Sequence, residues 1–216
     1  MKGENEMMNV NKSYNTLIAG TIGAGKSWTE EKILDTLMDK GGNMFVLLDP
    51  KKVELYGYKD RVGVLQYADN EEDIFEALTF CFELMTDRNE TARAKGMKTT
   101  DEPHVFIFCD EMAFIMQSKR KKEYVRMMSQ IVLLGRSARV HLILCTQVAT
   151  QDVIPACIRD NMTNIVCLRQ RDAGKYRYLL GEFPGRLPAI GKAYVLTPDM
   201  MEPVKVDAGI VWDLIA

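Results

Sequence analysis

The chain has 216 residues, 47% of them hydrophobic and 27% charged, with a formal net charge of −2. This composition is typical of a soluble globular domain and excludes a largely disordered chain. The charge excludes a protein that binds nucleic acid through a general excess of basic residues, so that any such contact must come from a local patch. We predict one domain over residues 14–216 after a flexible segment over residues 1–13.

The cysteines and histidines restrict the chemistry further. The five cysteines form no C-x-x-C pair and mostly lie in apolar segments, which predicts buried, reduced thiols of a cytoplasmic protein. Two histidines are too few for a His-rich metal site. The longest apolar run, HVFIFCDEMAFIM, is interrupted by Asp110 and Glu111, so we expect no direct insertion into a membrane.

Short apolar runs alternate with helical patterns along the chain. Most of these runs are continuous, as expected for strands that are covered on both faces. The predicted strands are Thr16–Ala19, Met44–Leu48, Val62–Gln66, Val105–Cys109, Leu142–Cys145, Ile165–Leu168 and Ala193–Leu196. The predicted helices are Trp28–Lys40, Asp73–Arg88 and Tyr124–Leu134, and the polar stretch over residues 86–102 predicts disorder. The alternation predicts an α/β fold with a mostly parallel central sheet flanked by helices.

The segment GTIGAGKS, residues 20–27, lies between the first predicted strand and the first predicted helix. It fits the phosphate-binding pattern G-x-x-x-x-G-K-[ST] in full, which predicts binding of ATP and Mg²⁺. Its glycines allow backbone N–H groups to surround phosphates where a Cβ would intrude. We expect Lys26 to neutralise the β- and γ-phosphates and Ser27 to place its hydroxyl on Mg²⁺. The predicted nucleotide-binding residues are Gly20, Thr21, Ile22, Gly23, Ala24, Gly25, Lys26, Ser27 and Trp28.

An acidic pair, Asp110 and Glu111, ends the apolar stretch HVFIFCDE. A P-loop needs an acidic strand end to hold Mg²⁺, directly or through water, and Asp110 is placed for this role. Glu111 is placed to act as general base on the attacking water, which favours hydrolysis over transfer to a bound acceptor. The alternative is a pair that only caps a helix. Gln147 ends the later stretch HLILCTQ, where it contacts the γ-phosphate or is an ordinary loop residue.

Five segments occur in one order along the chain: LIAGTIGAGKS, LLDPKKVEL, FIFCDEMAFIM, GRSARVHLILCTQ and DVIPACIRDNM. Over residues 14–196 they resemble the motor domain of the FtsK/SpoIIIE DNA translocases, within the FtsK–HerA group of P-loop ATPases. DPKKVEL and the pattern GR-x-A-x-x-HLIL-x-TQ are the most distinctive parts. The resemblance implies a RecA-like fold, a homo-oligomeric ring of six subunits and ATP-driven movement along double-stranded DNA through the central hole.

The resemblance also implies roles for individual residues. Lys26 and Glu111 act in catalysis, and Gln147 becomes the γ-phosphate sensor. Arg136, in GRSA, matches an arginine that is inserted into a neighbouring subunit's ATP site, where such a residue is worth on the order of 10³–10⁵ in rate. The alternative for Arg136 is a helix cap or an ion pair within the subunit.

Two basic clusters, SKRKKEYVR and LRQRDAGKYR, are candidates for contact with DNA. A basic ring that lines a pore binds phosphates without reading the base sequence. A solvated surface is the alternative, above all for SKRKK. The DNA-facing residues that the resemblance implies are Arg159, Arg171, Lys175 and Arg177.

Some positions depart from the family pattern. Val148 and Ala149 follow Thr-Gln where the family usually has Arg-Pro, and Phe114 stands where a further Asp is frequent. We expect Asp49 and Lys51, both in DPKKVEL, to reach the edge of the ATP site, and the sequence assigns neither of them a firm role. An FtsK-like ATPase that drives protein secretion, and a non-motor nucleotide-dependent assembly module, therefore stay open as alternatives. For DNA, transfer of a plasmid or conjugative element with membrane-anchored or mobile-element partner proteins is the expected setting.

Overall fold

The computed structural model describes residues 14–215, with side chains described as far as Asp213. The segment over residues 1–13, predicted to be flexible, lies outside the described residues. Helices and strands alternate along the described part, as the sequence predicts. No helix within it is both long enough and apolar enough to cross a lipid bilayer.

Eight strands within residues 14–215 form one sheet. They are β1 Thr16–Ala19, β2 Met44–Leu48, β3 Val64–Ala68, β4 Val105–Cys109, β5 Val140–Thr146, β6 Asn164–Cys167, β7 Lys192–Leu196 and β8 Val204–Asp207. Their order is β3-β2-β4-β5-β1-β6-β7-β8. The pairs from β3 to β6 are parallel, whereas β7 and β8 each pair antiparallel with the preceding strand in this order. The predicted α/β class with a mostly parallel sheet is therefore confirmed.

The helices cover both faces of this sheet. They are α1 Lys26–Asp39, α2 Glu71–Ala94, α3 Met112–Ile115, α4 Lys121–Ala138, α5 Ala156–Arg159, α6 Ala173–Leu180 and α7 Val211–Ile215. Short 3-10 turns add Tyr56–Tyr58 and Ala208–Ile210. Helices α2 and α4 pack against one face, and α1 and α7 pack against the other.

Successive residues of the central strands enter two different hydrophobic cores. Leu17 of β1 packs with α2 and α4, whereas its neighbour Ile18 packs with α1 and α7. Side chains of a strand alternate between the two faces of a sheet, so a strand covered on both faces needs apolar residues at every position. This requirement explains why the central strands are continuous apolar runs in the sequence.

The parallel register brings the ends of several strands to one edge of the sheet. Ala19 of β1 pairs with Thr146 of β5, and Leu48 of β2 pairs with Cys109 of β4. The loops that follow β1, β2, β4 and β5 therefore start side by side at what we call the C-terminal edge. All four loops carry residues that the sequence marks as functional.

Several predicted boundaries and several missing elements need correction. Strand β3 begins at Val64 and not at Val62, because Gly63 takes a left-handed φ of 92° and its carbonyl accepts from the Phe45 N–H at 2.8 Å. Helix α4 extends beyond the predicted Tyr124–Leu134 at both ends. The sequence also did not predict β8, α3, α5, α6 or α7, which are short elements of four to eight residues.

The prediction of disorder over residues 86–102 is wrong. Residues 86–94 continue α2, and Ala92 is buried. The Arg88 guanidinium is also buried and donates to the carbonyls of Pro103, at 2.8 Å, and Ala138, at 3.1 Å. The polar composition indicates a solvated chain, but the hydrogen bonds of Arg88 hold this segment against the residues before β4 and against the end of α4.

The prediction of buried thiols holds for four of the five cysteines. Cys81, Cys109, Cys145 and Cys167 are buried, and burial raises the pKa of Cys81 to about 12. Cys157 is the exception, because it lies on the outward side of the four-residue helix α5 and is exposed.

Candidate functional site

The P-loop, residues 20–27, connects β1 to α1 at the C-terminal edge. Gly23 and Gly25 have left-handed φ values of 75° and 95°, which a glycine adopts without strain. The backbone N–H and the hydroxyl of Thr21 both donate to the Arg169 carbonyl at 3.0 Å. The Gly20 N–H donates to the end of β5 at 3.2 Å. The loop is thus held between the ends of β5 and β6, and α1 begins within the motif at Lys26.

Lys26 is the first residue of α1 and is buried beneath the loop. Its ammonium group contacts the carboxylate of Asp110 and lies 3.8 Å from a carboxylate oxygen of Glu30. Burial alone would lower the pKa of Lys26, but the neighbouring acidic groups raise it above its ordinary value. Lys26 therefore carries a full positive charge, as the neutralisation of phosphate requires.

Glu30 is a site residue that sequence reasoning missed. It lies one helical turn after Lys26, it is fully buried, and neither of its side-chain oxygens has a hydrogen-bond partner within residues 14–215. Burial raises the pKa of Glu30 to about 8. The spacing of four residues was the available signal, because such residues share one face of a helix.

The acidic pair follows β4 directly and faces the P-loop. Asp110 is fully buried, and Glu111 is almost fully buried. Glu111 has a left-handed φ of 64°, which costs a non-glycine residue on the order of 1–3 kcal/mol. Its Oε1 accepts from the Thr146 hydroxyl at 3.1 Å and from the Gln147 N–H at 3.3 Å. Glu111 precedes α3, but its side chain does not cap that helix, so the capping alternative is not what the structure shows.

The segment DPKKVEL, residues 49–55, also reaches the site. The Lys51 ammonium lies 3.3 Å from Asp110 Oδ2 and 3.1 Å from Glu111 Oε2. The Ser27 hydroxyl donates to Glu54 Oε1 at 2.8 Å. Asp49 is fully buried, and its carboxylate closes the segment by accepting from the Leu55 N–H at 3.0 Å.

A cleft of about 370 Å³ opens beside these groups. It is lined by P-loop residues together with Trp28, Glu54, Gln147 and Ile190. The Trp28 ring packs so closely on Gly209 that a Cβ there would lie 2.6 Å from it. The cleft therefore combines backbone N–H groups, a charged lysine, carboxylates and an apolar wall, which suits a nucleoside phosphate.

Arg136 is exposed near the C-terminal end of α4. Its side chain makes no ion pair or hydrogen bond with any other residue of the described part. Strand β5 starts four residues later at Val140 and ends beside the P-loop, so about 20 Å of strand separates Arg136 from the site of its own chain. Arg136 is therefore free to act outside its own subunit, and its finger role stays a prediction.

The four predicted DNA-facing residues are not equally available. The Arg159 guanidinium stacks over the Tyr178 ring of α6 at 4.4 Å and pairs with Asp160 at 2.6 Å. Arg171 and Arg177 are exposed, and Lys175 is half-buried. The contact with Tyr178 brings Arg159 to the helix that carries Lys175 and Arg177, but Arg159 itself is already paired.

The first basic cluster is partly engaged within the chain as well. Arg120 stacks over the Phe75 ring at 4.3 Å and lies 3.1 Å from the Glu72 carboxylate. Lys119 and Lys122 are exposed. This arrangement fits a solvated surface, which was the alternative to DNA contact for SKRKK. Lys119 and Lys122 are still accessible to a partner.

The fold and the site together define a class of protein. The P-loop lies at the C-terminal edge of a mostly parallel sheet, and its lysine contacts Asp110 of a buried Asp-Glu pair that follows β4, the next strand but one from β1. This is the arrangement of a P-loop ATPase. The family model of FtsK/SpoIIIE matches residues 1–187, and the chain belongs to this family.

Known proteins similar to the chain include translocases and secretion ATPases. The DNA translocase FtsK of Borreliella burgdorferi is 26% identical over 222 aligned residues, covering 94% of this chain and 28% of the relative. The conjugation coupling protein TcpA of pCW3, solved with ATPγS, superposes with a TM-score of 0.78 at 20% identity, covering 93% of this chain and 61% of that one. The cytoplasmic domain of the type VII secretion ATPase EccC of Thermomonospora curvata gives 0.71 at 20% identity, covering 94% and 28%. The two structural likenesses show the fold, and the chain spans less than a third of the FtsK relative.

Proposed function

We propose that this chain is the motor domain of a ring-shaped ATPase, of six subunits, that moves double-stranded DNA. The observation that carries the proposal is the placement of the acidic pair against Lys26, with Glu111 oriented by the end of β5. Family membership supports DNA as the cargo, because relatives of this family that match the chain, such as the protein of Borreliella burgdorferi, are named DNA translocases.

In this proposal each site residue has a defined task. Lys26 and the P-loop N–H groups bind the β- and γ-phosphates of ATP, and Glu111 accepts a proton from the attacking water. Gln147 contacts the γ-phosphate or the water, since its N–H already lies 3.3 Å from Glu111 Oε1. Arg136 enters the ATP site of the neighbouring subunit.

The residues at the site fit a magnesium ion. Mg²⁺ prefers oxygen ligands and is commonly held by one or two carboxylates together with substrate phosphates. Ser27 and Asp110 would hold it, and Asp110 is a fully buried carboxylate beside the P-loop cleft whose charge is balanced here by Lys26 and Lys51. The ion supplies neutralisation of the phosphate charge.

The test is ATP hydrolysis with and without long duplex DNA at low salt. We expect DNA to stimulate turnover, and we expect Glu111→Gln to bind ATP but to hydrolyse it about 10²–10⁴-fold more slowly. Intact, ATP-hydrolysing protein that does not respond to DNA would count against the motor proposal.

A second candidate is an ATPase that drives protein secretion. The similarity to EccC favours it, as do Val148 and Ala149 at the positions where the family usually has Arg-Pro. DNA binding separates the two candidates, because affinity for a phosphate backbone falls steeply with salt. A protein that hydrolyses ATP but does not bind duplex DNA even at low salt would support secretion.

The similarity to the conjugation coupling protein TcpA supports DNA transfer by a plasmid or conjugative element as the setting. In such a setting, membrane-anchored or mobile-element proteins would be partners of the ring. Co-purification of the chain with partners encoded beside it tests this part of the proposal.

A further inference from the structure

Lys51 lies between the two carboxylates of the acidic pair. Its ammonium is 3.3 Å from Asp110 Oδ2 and 3.1 Å from Glu111 Oε2. It follows β2, and β2 pairs with β4 through Leu48 and Cys109. The pairing of two buried strands therefore sets the position of Lys51 beside the acidic pair, so the contact is not a chance meeting of flexible surface side chains.

The carboxylate of Asp110 is shared by two lysines. Lys26 contacts Oδ1 and Lys51 contacts Oδ2. A P-loop lysine reaches the β- and γ-phosphates, so a second ammonium group on the same carboxylate is within reach of the region where those phosphates would bind. Two ammonium groups so close together repel each other, and a terminal phosphate attracts both.

Lys51 also completes the contacts of Glu111. The Oε1 atom of Glu111 accepts from the Thr146 hydroxyl and the Gln147 N–H, both at the end of β5. Lys51 holds the other oxygen, Oε2. A movement of the Lys51 ammonium towards phosphate therefore changes how the carboxylate of Glu111 is held.

The neighbouring lysine has a different environment. Lys52 points to the surface, where its ammonium lies 3.0 Å from Asp69 and its side chain is 58% exposed. The Lys51 side chain is 32% exposed and turns inward. Substitution of each of these two adjacent lysines therefore distinguishes an effect specific to the site from a general effect of removing one positive charge.

We propose that Lys51 binds the terminal phosphate of a nucleoside triphosphate and couples the presence of that phosphate to the orientation of Glu111. A diphosphate lacks this group, so Lys51 distinguishes ATP from ADP within one subunit. The inference rests on the part of the proposed function that assigns ATP binding to the cleft, and it does not depend on DNA as the cargo.

The first test compares nucleotide affinities of Lys51→Met by calorimetry, with adenylyl imidodiphosphate as the triphosphate probe. A charge-assisted hydrogen bond is lost only for the triphosphate, so its affinity falls about 10-fold or more while that of ADP changes about twofold or less. Lys52→Met is the matched control and leaves both affinities unchanged. Lys51→Arg, which keeps the charge, retains most of the discrimination.

The second test concerns the coupling to Glu111. We expect Lys51→Met to lower kcat, and the double variant with Glu111→Gln to be no slower than Glu111→Gln alone, because both act on one group. Should Lys51→Met fail to fold, as judged by thermal melting, Lys51→Gln takes its place. Equal losses of affinity for both nucleotides, no loss for either, or independent effects on kcat would overturn the proposal. If Lys51 distinguished ATP from ADP as proposed but DNA did not stimulate ATP hydrolysis, the motor proposal would be overturned and this one would stand.

Discussion

Glu30 is a buried carboxyl group next to the charged P-loop lysine, and its ionisation affects stability. Its folded-state pKa of about 8 lies above its ordinary value of 4.5, so the folded protein binds the proton more tightly than the unfolded chain. The stability that this group contributes is therefore fully present below about pH 4.5 and is lost as pH rises through about 8.

Glu30→Gln keeps the shape of the side chain and removes its titration. We expect the variant to melt near the temperature of the wild type at about pH 4.5 and increasingly above it as pH rises towards 9, by about 2–4 °C for each 1 kcal/mol of stability that the wild type loses. Thermal melting across this pH range, without nucleotide, measures the difference. Glu76→Gln, on the exposed surface of α2, is the control and shows no such trend. A difference that stays constant with pH would mean that Glu30 does not change its charge in this range.

The residues of the site were predictable to different degrees. Lys26, Ser27, Asp110 and Glu111 follow from local patterns, because a P-loop and an acidic strand end are readable within a few positions of sequence. Lys51 could be placed only at the edge of the site. Its contact with Glu111 spans 60 positions of the chain and depends on which strands become neighbours.

At the scale of elements, close packing explains why position 135, in the distinctive GRSA stretch, is a glycine. A Cβ on Gly135 would lie 2.1 Å from the Val140 carbonyl oxygen, so α4 and β5 approach each other as closely as they do only with glycine at this position. The glycine thus has a packing role, whereas the exposed Arg136 beside it has none that the described residues reveal.

We predict that Gly135→Ala destabilises the protein by about 3 kcal/mol or more, because backbone must move to admit the methyl group. The melting temperature should fall by roughly 6–12 °C. Gly57→Ala is the control, since a Cβ there meets no atom within 4 Å and the change should stay within about 0.5 kcal/mol. If the two variants melted alike, the close contact between α4 and β5 would not matter for stability.

Elements were predictable where burial gave a continuous pattern. Strands β1, β2 and β4 have the predicted bounds, because they are apolar at every position except Thr16 and are covered on both faces. Helix α6 was missed, since it has eight residues and its buried side chains are confined to Tyr176, Leu179 and Leu180. The end of α2 was taken for disorder because its anchor, Arg88, is polar and bonds to carbonyls distant in the sequence.

At the scale of the whole molecule, the position of Arg136 leads to a prediction about assembly. Arg136 lies at the opposite edge of the sheet from the P-loop of its own chain, so an Arg136 that serves catalysis must serve another subunit. Arg136→Ala and Lys26→Ala should each lose on the order of 10³-fold in ATP turnover.

Mixing the two inactive variants should then restore activity. In a randomly mixed ring, about a quarter of the interfaces join an intact Lys26 to an intact Arg136 of the neighbour. We expect turnover of the 1:1 mixture to exceed that of either variant many-fold, measured by phosphate release. A mixture no more active than its components would show that Arg136 does not complete a neighbouring site.

The central claim is that hydrolysis at the Lys26–Glu111 site moves this protein along double-stranded DNA. Displacement of a labelled third strand from a DNA triplex, placed on a long duplex, measures that movement directly. We predict displacement by the wild-type protein with ATP and Mg²⁺, and none with adenylyl imidodiphosphate or with Glu111→Gln. Steady ATP hydrolysis on the same DNA without displacement of the third strand would contradict the claim.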